Sequence, residues 1–128
     1  MNNASSVDNS GLIEKQVFNS ILSTHTGGVT LDLTGYTGAV VPAGTLVSHP
    51  DPSTGLSKIV TITAADGEDP AEFDEDPLGL TESTVRVEDH TFVGVVTGGN
   101  VKVYCLPDDE QESFAAIHAV IPTLHATI

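Results

Sequence analysis

The apolar residues of this chain fall into short runs separated by glycine, proline and small polar residues, a pattern typical of short β-strands joined by turns. Residues 39–47, AVVPAGTLV, place two such runs around the tetrapeptide Val41-Pro42-Ala43-Gly44. Pro42 presets the backbone for the second position of a type I turn, and Gly44 tolerates a positive φ. The pattern therefore predicts a tight strand reversal that belongs to the framework and carries no reactive group.

A second framework unit spans residues 92–106, FVGVVTGGNVKVYCL. Its first part predicts a strand over residues 91–97, in which Gly94 marks a bulge or a close approach of another backbone. The tetrapeptide Thr97-Gly98-Gly99-Asn100 predicts a hairpin turn, and residues 101–106 predict the returning strand. Further strand-like runs are residues 29–34, 39–41, 45–47, 58–63, 84–87 and 123–128.

The N-terminal part has a different pattern. Residues 1–10 are small and polar, which predicts a flexible arm. Over residues 12–23 the apolar side chains share one helical stripe, formed by Ile13, Val17, Phe18, Ile21 and Leu22. This spacing predicts a short amphipathic helix. Because an isolated helix of about 12 residues is marginal in water, we expect the stripe to pack on its own domain or on a partner.

A second helix is predicted near the C-terminus. Pro107 is followed by three acidic residues, which are favourable at the positive end of a helix dipole. This helix should span residues 109–119 and end near Pro122. The predicted fold is mainly β: a small β-barrel or β-tulip-like domain over residues 25–128, with one or two short helices and an N-terminal arm over residues 1–24.

The charge of the chain restricts its partners. It has 128 residues, 18 of them acidic and 4 basic, and a net charge of −14. Nucleic acids and anionic membranes are bound through Lys and Arg, so neither is an expected partner. The N-terminus shows no basic and apolar signal segment, and no apolar run approaches the roughly 20 residues of a membrane span. We therefore expect a protein that is made in the cytoplasm.

The acidic residues are concentrated in residues 65–83. Seven of the eleven residues from Asp66 to Asp76 are acidic. This composition predicts a solvated surface loop or an insertion, and no core element. The regular spacing of a calcium-binding loop is absent, which leaves only weak, unspecific binding of divalent cations open.

A search for reactive groups finds no active site. The single cysteine, Cys105, lies in an apolar run and is expected to be a buried small residue. The histidines are His25, His49, His90, His118 and His125. None has a second ligand at metal-binding spacing on its own element, since His118 has Phe114 and Pro122 as its helical neighbours. Neither a nucleophile elbow nor a phosphate-binding loop is present. We predict no catalytic, cofactor-binding or metal-binding residue.

The order of the framework units resembles the small head decoration proteins of tailed bacteriophages, of which the lambda-type capsid-stabilising protein is the best-known case. The resemblance lies in Gly44-Thr45-Leu46 after a turn, in Ser57-Lys58-Ile59-Val60, and in Val93-Gly94-Val95-Val96. An acid-started helix and a short last strand follow, as in that family. The resemblance covers about three-quarters of the chain; the acidic stretch 65–83 and the predicted helix 12–23 depart from it.

The resemblance implies a structural protein of the virion, without enzymatic activity, on the outer surface of the capsid. It would form a trimer there and bridge neighbouring copies of the major capsid protein, against the pressure of packaged DNA. The alternative is a head-fibre or host-surface-binding module on the same capsid. We expect the stripe of residues 12–23 to contact the capsid and the strands around residues 40–47 and 93–96 to contact the other subunits. Free in solution, the charge would favour a monomer.

Overall fold

The computed structural model describes residues 17–88 and 91–127. The protein is mainly β, as predicted, with two short helices near its C-terminus. The strands are β1 Phe18–Thr24, β2 Val29–Asp32, β3 Val40–Val41, β4 Leu46–Ser48, β5 Leu56–Lys58, β6 Ile62–Thr63, β7 Glu72–Phe73, β8 Pro77–Thr81, β9 Val85–Arg86, β10 Thr91–Val93, β11 Val95–Lys102 and β12 Leu124–Thr127. The helices are α1 Asp108–Glu112 and α2 Phe114–Val120, preceded by a 3-10 turn at Val103–Cys105.

The largest sheet is organised around β11. One edge of β11 pairs antiparallel with β1, from Val101 to Val96. The other edge is shared, because β8 pairs with Val95 and Val96 while β12 runs parallel to residues 99–102. β4 continues the sheet beyond β8. A second sheet has the order β10-β2-β5, and β3-β9 and β6-β7 form two ribbons. Among the described residues these strands remain open sheets and do not close into a barrel.

Two apolar clusters fill the interior. The larger lies between the β11 sheet and the helices, and its buried residues are Val17, Phe18, Ala43, Leu46, Val60, Leu80, Val96, Val101, Leu106, Phe114, Ile117, Ile121 and Leu124. The smaller lies against the β10-β2-β5 sheet and consists of Val29, Leu31, Val41, Val47, Val93 and Val95. β-branched and leucine side chains therefore form the core, as expected for a chain with 5% aromatic residues.

The predicted N-terminal helix is wrong where the structure can be compared with it. Phe18–Thr24 is a β-strand, and the part of the predicted helix before Val17 lies outside the described residues. Valine, asparagine, serine, isoleucine and threonine are weak helix formers, and they dominate residues 17–24. Pairing with β11 satisfies the backbone of β1 and buries Phe18. These gains need a strand that is distant in sequence, so local periodicity does not reveal them.

The hairpin predicted at Gly98 and Gly99 is also wrong. Both glycines lie inside the continuous strand β11, which ends at Lys102. Their lack of a side chain allows β1 to approach closely. A Cβ atom on Gly98 would lie 2.5 Å from Ser23 Oγ, and a Cβ atom on Gly99 would overlap the carbonyl oxygen of Ser20. The two glycines thus mark a close approach of two strands, which is a known reason for glycine within a strand.

The acidic segment has a different extent from the one predicted. Residues 65–76 are mostly exposed and include the strand β7. Residues 77–81 instead form β8, a strand of the main sheet, in which Leu80 and Thr81 have no exposed surface. The prediction that residues 65–83 contain no core element is therefore wrong for residues 77–81, PLGLT, which follow Asp76. Elsewhere, residues 58–63 are divided between β5 and β6, and the C-terminal helix is interrupted at Ser113.

The turn at Gly44 has the predicted positive φ, of 87°. The turn lies one residue later than predicted, because the N–H of Thr45 donates to the carbonyl of Pro42 at 3.3 Å. Gly44 is therefore the third residue of the turn, where a type II turn requires a positive φ. Gly94, the other predicted framework glycine, separates β10 from β11 and approaches the side chain of Glu82.

We expect Gly44→Ala to lower the free energy of unfolding by about 1–3 kcal/mol, because a positive φ is unfavourable for alanine and overpacking adds to that cost. The new Cβ atom would lie 2.6 Å from Leu106 Cδ2, in the larger core cluster. Urea unfolding would measure the loss. Gly35→Ala is the matched control, since Gly35 has a φ of 83° and open space around it; equal losses in both variants would contradict the packing contribution.

Candidate functional site

The strand β1 presents the most exposed apolar side chain among the described residues, Leu22, which is 74% exposed. Ile21 beside it is 42% exposed. Among the described residues, β1 is the end strand of the main sheet, with β11 as its neighbour on one side. Unpaired edge strands with apolar side chains are common sites of protein association. We therefore treat β1 as the candidate docking surface.

The structure divides the five residues that were predicted to contact the capsid. Ile21 and Leu22 are exposed on β1. Val17 and Phe18, in contrast, are buried in the larger core cluster, and Lys102 N–H donates to the carbonyl of Val17 at 2.7 Å. The prediction that Val17 and Phe18 lie on a contact surface is therefore wrong for this fold. Ile13 lies outside the described residues.

Polar side chains hold β1 against β11. Asn100 Nδ2 donates to Ser20 Oγ at 2.9 Å, and the hydroxyls of Ser23 and Thr97 are 3.0 Å apart. The pairing contains several register shifts, so β1 is bulged along its length. Bulges make an edge strand less suited to indiscriminate pairing with other chains. β1 thus carries two exposed apolar side chains on a strand whose first residue, Phe18, is buried in the core.

Most apolar side chains of the strands expected to contact other subunits are buried within the chain. Val41, Leu46 and Val47 have no exposed surface. The same is true of Val95 and Val96. These five side chains fill the two core clusters and so leave no apolar surface of their own for an inter-subunit contact. The sequence pattern could not separate an interface strand from a core strand, because both require the same apolar alternation.

A buried carboxylate, which the sequence analysis missed, connects the helices to the sheet. Glu110 on α1 is 5% exposed, and its Oε2 accepts a hydrogen bond from Leu46 N–H at 2.9 Å. Burial raises the pKa of Glu110 above its ordinary value, and neighbouring Asp109 raises it further, while the bond from Leu46 opposes both. The sequence did contain a signal for this burial. Phe114 and Ile117, at positions i+4 and i+7 from Glu110, place this acid on the buried helical face.

The structure brings two histidines together that the sequence search kept apart. His118 on α2 and His125 on β12 have ring centroids 5.6 Å apart. His118 Nδ1 lies 2.6 Å from the carbonyl oxygen of Leu124. The search considered ligand pairs within one element, whereas these residues come from consecutive elements. Within residues 17–88 and 91–127 no group of three or more potential metal ligands occurs, and His90 lies outside them.

The other predicted residues have simpler surroundings. His49 Nε2 lies 3.8 Å from Asp76 Oδ2 on the exposed surface. Cys105 is half-buried, where full burial was expected, and borders a cavity of about 390 Å³ that Pro42, Ala43 and Leu106 also line.

Comparisons with protein-family models, with curated protein sequences and with solved structures find no match to this chain. The resemblance to phage decoration proteins therefore remains a prediction from the quoted motifs. No helix in the described part of the chain has the length and apolar character needed to cross a membrane.

Proposed function

We propose that this protein is a capsid decoration protein of a tailed bacteriophage, a structural component that bridges neighbouring major capsid proteins on the outer surface. The observation that carries the proposal is the exposed apolar pair Ile21 and Leu22 on an end strand whose first residue, Phe18, is buried in the core. A docking surface of this kind can transmit force, because the strand that meets the partner is paired within the main sheet.

The connections of β11 support a mechanical role. β1 pairs with β11 over most of its length, and β11 in turn pairs with β8 and β12. A force applied at Leu22 is therefore distributed over three further strands and the core beneath them. Shearing an antiparallel pair requires many backbone hydrogen bonds to break together, which suits a protein that holds capsomers together.

The charge supports an external position. A net charge of −14 repels packaged DNA, so the chain is poorly suited to the inside of a filled head. The same charge opposes self-association of free chains. We propose that the protein is made in the host cytoplasm, is monomeric before binding, and becomes a trimer on the capsid. We further propose that the domain is tulip-like and has neither enzymatic activity nor a cofactor.

Removing residues 1–24 is a poor test of capsid binding. The deletion would take away β1 and the core residues Val17 and Phe18, so we expect it to destabilise the domain itself. Loss of binding would then have two explanations. Substitution of an exposed residue on β1 avoids this ambiguity.

We expect the wild-type protein to pellet with expanded, undecorated heads of the phage that encodes it, up to a fixed number of copies per head. Leu22→Asp should weaken the apparent affinity by about 1–3 kcal/mol, or roughly 5–150-fold, because it places a charge in an apolar contact. Phe92→Asp is the matched control, since Phe92 is also exposed, at 58%, but lies on β10 in the other sheet. Co-sedimentation with quantitative gel densitometry measures both.

Three results would count against the proposal. Absence of wild-type binding to heads would reject decoration. Equal binding by wild type and Leu22→Asp would reject β1 as the contact. Binding to intact host cells without binding to heads would instead favour the host-surface module. Thermal melting of both variants must match the wild type for the comparison to be valid.

A further inference from the structure

We propose that His118 and His125 form a binding site for one borderline divalent transition-metal ion, such as Zn²⁺ or Ni²⁺. The two imidazoles come from α2 and β12, which are joined by the turn at residues 121–123. The site is independent of the proposed capsid role, because neither residue lies on β1 and the metal is recognised by imidazole chemistry alone. Imidazole is a preferred ligand of Zn²⁺, Cu²⁺ and Ni²⁺.

The hydrogen bond of His118 selects the tautomer that binding requires. A backbone carbonyl only accepts hydrogen bonds, so in the 2.6 Å contact with Leu124 O the Nδ1 atom of His118 is the donor. In a neutral ring this leaves Nε2 with a free lone pair. Metal-bound histidines usually donate their other ring N–H to a carbonyl or carboxylate in this way, which fixes the ring orientation. His118 therefore already has the outer contact of a metal ligand.

The distance between the rings fits a shared ion. Zinc–imidazole bonds are about 2.0–2.1 Å long, and a ring centroid lies about 1.1 Å beyond its nitrogen, so each centroid would be about 3.2 Å from the metal. At a tetrahedral angle, two such rings have centroids about 5.2 Å apart. The observed separation is 5.6 Å, and the ring planes are inclined by 53°. Because His125 is exposed, a small rotation of its side chain suffices to close the difference.

Two protein ligands leave the remaining coordination positions to water. The described residues provide no third ligand to this pair, so the ion is held in an open site of the kind that keeps exchangeable positions. The overall charge of −14 attracts cations towards the protein. A bound ion would join the end of α2 to β12 across the intervening turn. Binding should therefore stabilise the fold in addition to being measurable directly.

The test is isothermal titration of the tag-free, full-length protein with ZnCl₂ and, separately, NiCl₂ at pH 7.5, with thermal melting in parallel. We expect one saturable site and a melting temperature that rises by at least about 3 °C at saturation. His118→Asn and His125→Gln should each lower the affinity at least about tenfold. The Asn variant keeps an N–H donor near the position of Nδ1, so the bond to Leu124 can persist without a metal ligand.

His49→Gln is the matched control, because His49 is an exposed histidine beside the acidic segment; it should bind like the wild type, and excess MgCl₂ should not compete. The proposal is overturned if the wild type shows no saturable site. It is also overturned if His118→Asn and His125→Gln bind like the wild type, or if His49→Gln or MgCl₂ abolishes binding, since the ion would then be held elsewhere. Melting of the metal-free variants separates ligand loss from unfolding.

Discussion

Gly79→Ala should lower the free energy of unfolding by about 2–3 kcal/mol, one of the largest effects that a single methyl group can have in this protein. Gly79 is buried in β8, opposite Val47 of β4. A Cβ atom there would overlap the carbonyl oxygen of Val96 and lie 2.8 Å from Val95 Cγ1. Since the oxygen belongs to the backbone of β11, relief requires β8 and β11 to separate. Urea unfolding followed by circular dichroism measures the loss, with an unchanged m-value as evidence of an unchanged denatured state.

Gly94→Ala is the control for this prediction. The added Cβ would approach Glu82 Oε1 at 2.7 Å, but that atom is the end of a flexible, exposed side chain that can move away. We expect Gly94→Ala to lie within about 1 kcal/mol of the wild type, since alanine also reduces the entropy of the unfolded chain. Similar stability of the two variants would contradict the described packing of β8 against β11.

Glu110→Ala should cost about 2–3 kcal/mol at neutral pH, because it leaves the buried N–H of Leu46 without an acceptor and creates a cavity beneath α1. At high pH, Glu110→Gln should instead raise the free energy of unfolding relative to the wild type. Its amide oxygen can accept the bond from Leu46, and it carries no charge into the core. Thermal and urea unfolding of the two variants from pH 4 to pH 8 distinguish loss of the hydrogen bond from loss of the charge.

The direction of the pH dependence follows from burial. Because the pKa of Glu110 is raised in the folded protein, the folded state retains a proton that the unfolded state has released as pH rises above the unfolded pKa of about 4.3. The contribution of Glu110 to stability is therefore greatest below that pKa and declines as pH rises through the folded pKa. The stability of Glu110→Gln relative to the wild type should increase over the same interval.

Glu112→Gln controls for the removal of an acidic charge from α1. Glu112 lies two residues from Glu110 but is exposed. If Glu110→Gln shows no rise relative to the wild type, or if Glu112→Gln shows the same rise, the carboxylate of Glu110 is not desolvated as described.

Some features of this protein follow from the sequence alone because they depend on a few adjacent residues. The strand content follows from β-branched runs separated by turn residues. The positive φ of Gly44 follows from the neighbouring proline and the strands around it. The start of α1 follows from Pro107 and the acids after it. The expectation that nucleic acid is not a partner follows from the composition, which no arrangement of the chain alters.

Other features depend on which distant segments meet. The apolar spacing of residues 17–23 is compatible with a helix, but the presence of β11 as a partner makes Phe18–Thr24 a strand. Gly98 and Gly99 have the local chemistry of a turn, yet the approach of β1 uses them within a strand. In each case a local preference of a few tenths of a kcal/mol per residue is outweighed by backbone pairing and burial with a segment far along the chain.

The candidate sites belong to the second group. The sequence predicted a partner contact for Val41, Leu46 and Ile21 alike, and only the packed structure buries the first two and exposes the third. Periodicity alone did not distinguish the buried Glu110 from its exposed acidic neighbours, and spacing along one element did not pair His118 with His125. By itself, the sequence determined the mainly β character, the positive φ of Gly44, the C-terminal helical segment and the charge of this protein. The tertiary structure decided which apolar residues remain on the surface and which polar residues meet, because burial and proximity result from contacts between segments that are distant in sequence.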